Sequence, residues 1–293
     1  MVAFNASKLN LPFMKYRFYA IVISLVLVAA SLGLIATKGL NLSVDFTGGL
    51  VLQVEFSSPV QVSDIRASLS EIGQGQAIIQ AYDNNEVLIR FQAQDEEVRR
   101  EVLETLKKDF GGLKILKIDK VGPVVGQELR TQAFIALSLA LVGILLYMAF
   151  RFKFRFGVAA VLALMHDSII MLGVYSLTGK EVSVAFIAAI LTVVGYSLND
   201  TIVVLDRVRE NWTAVRTKGV VELVDMSINQ TLARTINTSL TTLLPVIAMF
   251  IFGGEVISNF AFAFLVGIVV GTYSSIYIAS SIVAEWYLRY PKF

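Results

Sequence analysis

Gly195-Tyr196-Ser197-Leu198-Asn199-Asp200-Thr201-Ile202-Val203-Val204-Leu205-Asp206-Arg207 closes an apolar run that begins near Val182. The run is long enough to cross a bilayer, which takes about 20 helical residues, yet it holds a carboxylate. A charge in hydrocarbon costs several kcal/mol or is neutralised. Asp200 must therefore face protein or water, and its proton occupancy matters. On a helix Asp200 lies six residues before Asp206, roughly 9 Å inside that end. Tyr196 and Ser197 precede it by one turn on the same face, and Asn199 adds an amide beside it. The plainer reading is a buried carboxylate that only ties helices together. Intramembrane carboxylates more often mark ion or proton paths.

The whole chain has the same character. Its 293 residues are 56% hydrophobic, with a mean hydropathy of +0.69, too apolar for an ordinary soluble domain. The net charge is only +2, and no broad basic face for nucleic acid is visible. There is no cysteine, so no disulfide, thiol nucleophile or thiolate metal site. The single histidine, His166, excludes an all-histidine metal site within one chain. No nucleophile–base pair, phosphate loop or metal-ligand run stands out, so the sequence does not read as an enzyme and calls for no cofactor.

Six segments have spanning length: Phe18–Thr37, Thr131–Phe150, Phe156–Leu177, Val182–Leu205, Thr235–Phe252 and Ser258–Tyr287. The first is preceded by Lys8, Lys15 and Arg17, but it exceeds a signal-peptide core of roughly 7–15 residues. It reads as an uncleaved anchor. Cations fill alternate links: Arg151, Lys153 and Arg155; then Arg207, Arg209, Arg216 and Lys218; then Arg289 and Lys292. The positive-inside rule places these links and both termini in the cytoplasm. Residues 1–37 then form the amino terminus and first span, 38–130 an external domain, and 131–293 five further spans. The link between spans four and five carries Val220–Ile228, read as a short amphipathic helix at the membrane surface.

The external segment reads β-α-β-β-α-β, the ferredoxin-like pattern. Leu42–Phe56 alternates as a strand, with a bulge or bend at Gly48-Gly49. Ser63 is placed to cap a helix with Ile65, Leu69 and Ile72 on one face. Ala77–Tyr82 and Glu86–Gln92 flank a turn at Asp83-Asn84-Asn85. Asp95 is placed to cap a second helix with Val98, Val102, Leu103 and Leu106 inward, ended by Gly111-Gly112. Leu113–Val121 makes the last strand, and Gly122-Pro123 breaks it before span two.

Other spans carry polar groups too. Span five opens with Arg234, Asn237, Thr238 and Thr241 at helical spacing on one face. Lipid does not tolerate such a face; water or another helix does. Arg234 is the natural counter-charge for a carboxylate at similar depth, or alternatively an interfacial anchor. Pro245 is a candidate kink. Span three holds His166-Asp167 near its centre, either a titrating pair or a structural one. Adjacent residues point about 100° apart on a helix, so the two need not share a neighbour. Asp200, Asp167, His166 and Arg234 together make the chemistry of a proton or cation relay, with Tyr196, Ser197, Asn199, Asn237, Thr238 and Thr241 as polar support.

In these residues the sequence resembles the SecD/SecF family of bacterial protein export, and within it the smaller, SecF type. The resemblance rests on Val44-Asp45-Phe46-Thr47-Gly48-Gly49, on Val121-Gly122-Pro123 through Gly126-Gln127-Glu128-Leu129, on Gly195 through Asn211, and on Arg234 through Ser239. Leu205 stands where many relatives carry Phe or Ser. The resemblance implies one six-helix half of an RND-type core, with Asp45, Gly48 and Gly49 as an external hinge motif. It also implies pairing with SecD and work beside SecYEG, SecA and YajC in a bacterial cytoplasmic membrane. There the proton-motive force assists preprotein translocation after the ATP-driven step. Asp200 and Arg234 match the family's proton path. An RND exporter half for small molecules or lipids is the other reading, and such exporters usually need larger external domains. A third is a scaffold in which Asp200 and Arg234 only hold helices.

Overall fold

The computed structural model describes residues 11–75, 77–81, 85–91, 96–152 and 154–290. The chain divides into two compact units. One comprises residues 42–134, and the other residues 1–41 with 135–293.

The smaller unit holds a four-stranded antiparallel sheet of β1 (Gly49–Phe56), β2 (Ile78–Ala81), β3 (Glu86–Phe91) and β4 (Leu113–Val121), in the order β2-β3-β1-β4. Helices α3 (Val62–Glu71) and α4 (Glu96–Phe110) complete the β-α-β-β-α-β order. Period-two alternation on β1 turns Leu50, Leu52, Val54 and Phe56 to one face. There they pack against Ile65 and Leu69 of α3 and Val102 and Leu106 of α4. Gly111 ends α4 with φ +79°, in the left-handed region. The register between β1 and β4 slips at Gln53/Val54, so Leu116 is the extra residue of a bulge. Leu52 is fully buried. Leu52→Ala should destabilise this unit by about 2–5 kcal/mol, seen as faster proteolysis of residues 42–134 in the full chain.

Two expectations are corrected here. The alternation across Leu42–Phe56 is not one strand. Residues Val44–Thr47 form a single helical turn, α2, because the Ser43 hydroxyl accepts the Asp45 N–H and the Ser43 carbonyl accepts Phe46 and Thr47 N–H. Gly48 (φ +68°) and Gly49 (φ +127°) then redirect the chain into β1. The bend thus lies at a helix–strand junction, where only glycine avoids strain. The cap of α3 is Gln61, not Ser63; the Ser63 hydroxyl donates to Asp64 Oδ1 instead. The Asp95 cap and the Asp83-Asn84 part of the turn lie outside the described residues.

The larger unit is helical. Its elements are α1 (Arg17–Lys38), the part of α5 (Pro123–Arg151) from residue 135 onward, α6 (Phe154–Thr178), α7 (Val184–Glu210), α8 (Val215–Phe252), α9 (Gly254–Tyr273) and α10 (Ser280–Arg289). A π-helical segment, Ser274–Ala279, joins α9 to α10. Among the described residues, six helical stretches are long and apolar enough to cross a membrane. The sixth is built from α9, the π segment and α10. Small residues let helices approach closely. A Cβ on Gly173 of α6 would meet the Ser31 backbone of α1 at 2.7 Å, and one on Gly271 of α9 would meet Ser197 of α7 at 2.9 Å.

The expected surface helix at Val220–Ile228 is not a separate element. Backbone dihedrals in α8 break only at Gly219 (φ +77°), and the helix then runs on to Phe252 through Pro245. Leu223, Val224 and Ile228 are fully buried, clustered with Phe13 and Met14. Met14 N–H donates to Asp225 Oδ1 at 2.7 Å, and Arg17 pairs with Glu285 at 2.8 Å. The chain's own amino-terminal segment covers the apolar face that lipid was expected to cover. Arg234 consequently sits in mid-helix rather than at a helix start.

Candidate functional site

Asp200 is 2% exposed on α7, and its Oδ2 is buried without a hydrogen-bond partner among the described residues. Such an atom costs about 1–3 kcal/mol, more when charged. The Arg234 charge acts on Asp200 through space, without an ion pair at contact distance. Three further buried hydroxyls lack partners among the described residues: Tyr196, four residues before Asp200, Thr235, next to Arg234, and Ser281 of α10. The unsatisfied polar atoms of α7 and α8 thus lie within a few residues of Asp200 or Arg234 along the chain. Arg234, Asn237 and Thr241 are exposed and Thr238 half-buried, so the polar stripe of α8 turns outward. Within the stripe, Thr238 and Thr241 hydroxyls return to the helix carbonyls of Arg234 and Asn237.

The neighbours expected around Asp200 divide. Ser197 is buried but serves a different carboxylate: its hydroxyl donates to Asp167 Oδ2 at 2.8 Å. Asn199 is exposed and turns away. Asp167, 1% exposed, also accepts from the Ser274 hydroxyl at 2.8 Å, and its Oδ1 lies 2.9 Å from His166 Nδ1. Although adjacent on α6, His166 and Asp167 therefore pair with one another. His166 Nε2 is buried without a partner among the described residues. Its ring stands 6.3 Å from that of Tyr273, whose hydroxyl donates to the Ala20 carbonyl of α1 at 2.8 Å.

The relay candidates thus form two groups, Asp200 with Arg234 and Asp167 with His166. Between them runs a set of hydroxyls that the sequence reading passed over. Thr201 and Ser275 hydroxyls are 2.8 Å apart, both fully buried, and Ser239 of α8 meets Thr272 of α9 at 2.8 Å. The signal was present as Ser274-Ser275 and Ser280-Ser281 inside an otherwise apolar run. Serines there read as neutral spacing until the neighbouring helices are known.

The family described as "Protein export membrane protein SecD/SecF, C-terminal" matches residues 101–289, and "SecD/SecF GG Motif" matches residues 33–60. Protein translocase subunit SecF of Desulfurispirillum indicum is 46% identical over 291 residues, covering 96% of this chain and 93% of that one. The SecF of Pseudomonas aeruginosa is 42% identical over 280 residues, covering 94% and 91%. A crystal structure of SecDF, a translocon-associated membrane protein from Thermus, aligns at a TM-score of 0.90 and 44% identity over 97% of this chain and 39% of that one. Sequence, spans and fold agree, and the chain belongs to the SecD/SecF family of protein export membrane proteins.

Proposed function

We propose that this chain is the SecF-type subunit of a proton-driven accessory complex of the Sec translocase. It works with a SecD-type partner to complete preprotein translocation across a bacterial cytoplasmic membrane. The observation that carries the reading is the buried Asp200 carboxylate with Oδ2 unpartnered, beside the Arg234 charge, in a spanning helix. A carboxylate so placed exchanges a proton at low cost when its counter-charge moves. The outward polar stripe of α8 supports a partner on that face. So does a Thermus relative named SecDF, in which 94% of this chain aligns to 38% of a longer one. Asp167 and His166 form a second, inner polar centre of the relay. Tyr196 stands by Asp200, Asn237, Thr238 and Thr241 line the partner face, and Asp45, Gly48 and Gly49 provide the external bend. SecYEG, SecA and YajC are the expected neighbours, and both termini are cytoplasmic.

Inverted membrane vesicles containing SecYEG, SecA, the SecD partner and this chain test the proposal. Preprotein import should rise when a proton gradient is imposed and fall to the ATP-only level with a protonophore. Vesicles lacking this chain should give only the ATP-only level throughout. Identical gradient dependence with and without the chain would overturn the reading.

A further inference from the structure

We propose that Ser274 and Ser275 of the π segment are positioning residues that couple the two buried carboxylates, so that the state of Asp200 resets Asp167. The inference rests on the relay reading of Asp200 and goes beyond it, by naming the element that links the two centres.

The two serines are consecutive, and each serves a different centre. Ser274 Oγ lies 2.8 Å from Asp167 Oδ2 and 3.1 Å from the Gly271 carbonyl. Ser275 Oγ lies 2.8 Å from Thr201 Oγ1 and 2.9 Å from the same Gly271 carbonyl. Thr201 follows Asp200 directly on α7, and all three hydroxyl residues are fully buried. In a regular α-helix, successive side chains point about 100° apart, and carbonyls are taken by backbone N–H groups four residues on. The π segment relaxes that pattern, as such bulges do at functional sites. The Ser275 carbonyl also accepts the Ser280 hydroxyl, five residues on, at 3.0 Å.

Each serine has one proton and more than one acceptor. An ionised Asp167 is the stronger acceptor and draws the Ser274 proton. The Gly271 carbonyl, one of whose two lone pairs takes the Ser274 N–H, then keeps the other for the Ser275 hydroxyl, whose own lone pairs are free to accept Thr201. If Asp167 is neutral, Ser274 turns to Gly271 and competes with Ser275 there, which disturbs the bond to Thr201. The chain of donors also runs in reverse: a shift of α7 at Asp200 moves Thr201, then Ser275, then the shared carbonyl, then Ser274. Ser197 closes the loop, since its hydroxyl holds Asp167 while its carbonyl lies 3.3 Å from Ser275 Oγ. A regular helix without the two hydroxyls has no such connection.

Difference infrared spectroscopy on the full chain with its SecD partner in lipid nanodiscs reads this directly. The Asp167 carboxyl band is assigned by its loss in Asp167→Asn. In the otherwise native chain, Asp200→Asn should shift that band. In the Ser275→Ala background the same change should leave it in place. No shift with Asp200→Asn in the native background overturns the proposal, as does an equal shift with and without the Ser275 hydroxyl. Should Ser275→Ala fail to accumulate, Thr201→Val removes the same bond from the α7 side and is read by the same criterion. Export is a separate readout. No Asp200→Asn band shift in the native background, with gradient-driven export lost on Asp200→Asn, sinks only this proposal. Intact coupling with export indifferent to Asp200→Asn sinks the relay reading instead.

Discussion

On the proposed function, Asp200→Asn should remove the gradient-stimulated part of export while leaving the ATP-driven part and the protein level near those of the native chain. Asparagine keeps the shape and one carbonyl acceptor, but it does not titrate at any working pH. The site already tolerates a buried Oδ2 without a partner among the described residues, so the amide costs little there. The native carboxylate has Arg234 acting on it from α8. Removing the negative charge ends the exchange of attraction and release that a proton cycle needs. A proton moving through 100 mV yields about 2.3 kcal/mol, roughly a fifty-fold bias, and the variant forfeits all of it. Export in vesicles, measured with and without an imposed gradient at matched protein levels, checks the result. Unchanged stimulation would make Asp200 a structural residue.

Gly173→Ala should destabilise the helical unit by about 1–3 kcal/mol, whereas the same change at Gly143 should be neutral or stabilising. The intrinsic effect of Gly to Ala in a helix interior is favourable by about 1 kcal/mol, so the sign is decided by space alone. At Gly143 of α5 nothing lies within 4 Å of the added methyl. At Gly173 it would meet Ser31 of α1, with the backbone Cα at 2.7 Å. A flexible side chain could turn aside; a backbone atom requires the two helices to part. That opens the α1–α6 seam where Ser176 donates to the Gly39 carbonyl and Lys38 to the Leu177 carbonyl. Thermal unfolding in detergent should rank Gly143→Ala at or above the native chain and Gly173→Ala well below it. A Gly173→Ala protein as stable as native would show that the seam relaxes freely.

These two residues also mark how far the sequence was readable. Asp200 and Arg234 could be singled out because a charge in an apolar run is costly wherever the run packs. Gly173 could not, since a glycine in a spanning helix carries no sign of what it faces. The strands of the small unit were legible from alternation, and α4 from its apolar spacing and Gly111-Gly112 stop. The turn at Val44–Thr47 was not, because the Ser43 cap competes locally with strand pairing. The helix at Val220–Ile228 was recognised as amphipathic, but its apolar face joins a buried cluster that includes Phe13 and Met14, about two hundred residues away in the chain.

By itself the sequence determined the class of solvent, the six spanning stretches, the β-α-β-β-α-β order and the carboxylates set inside the apolar runs. Those follow from composition and from periodicities of 2 and 3.6, which act within a few residues of one another. Only the tertiary structure decided the grouping. Ser197 serves Asp167 rather than Asp200, His166 closes on its own neighbour, and Ser274 and Ser275 divide between the two centres. A hydroxyl can donate only one proton and reaches only about 3 Å. Its partner is therefore set by which helices meet and at what rotation, and no local pattern in the chain encodes that.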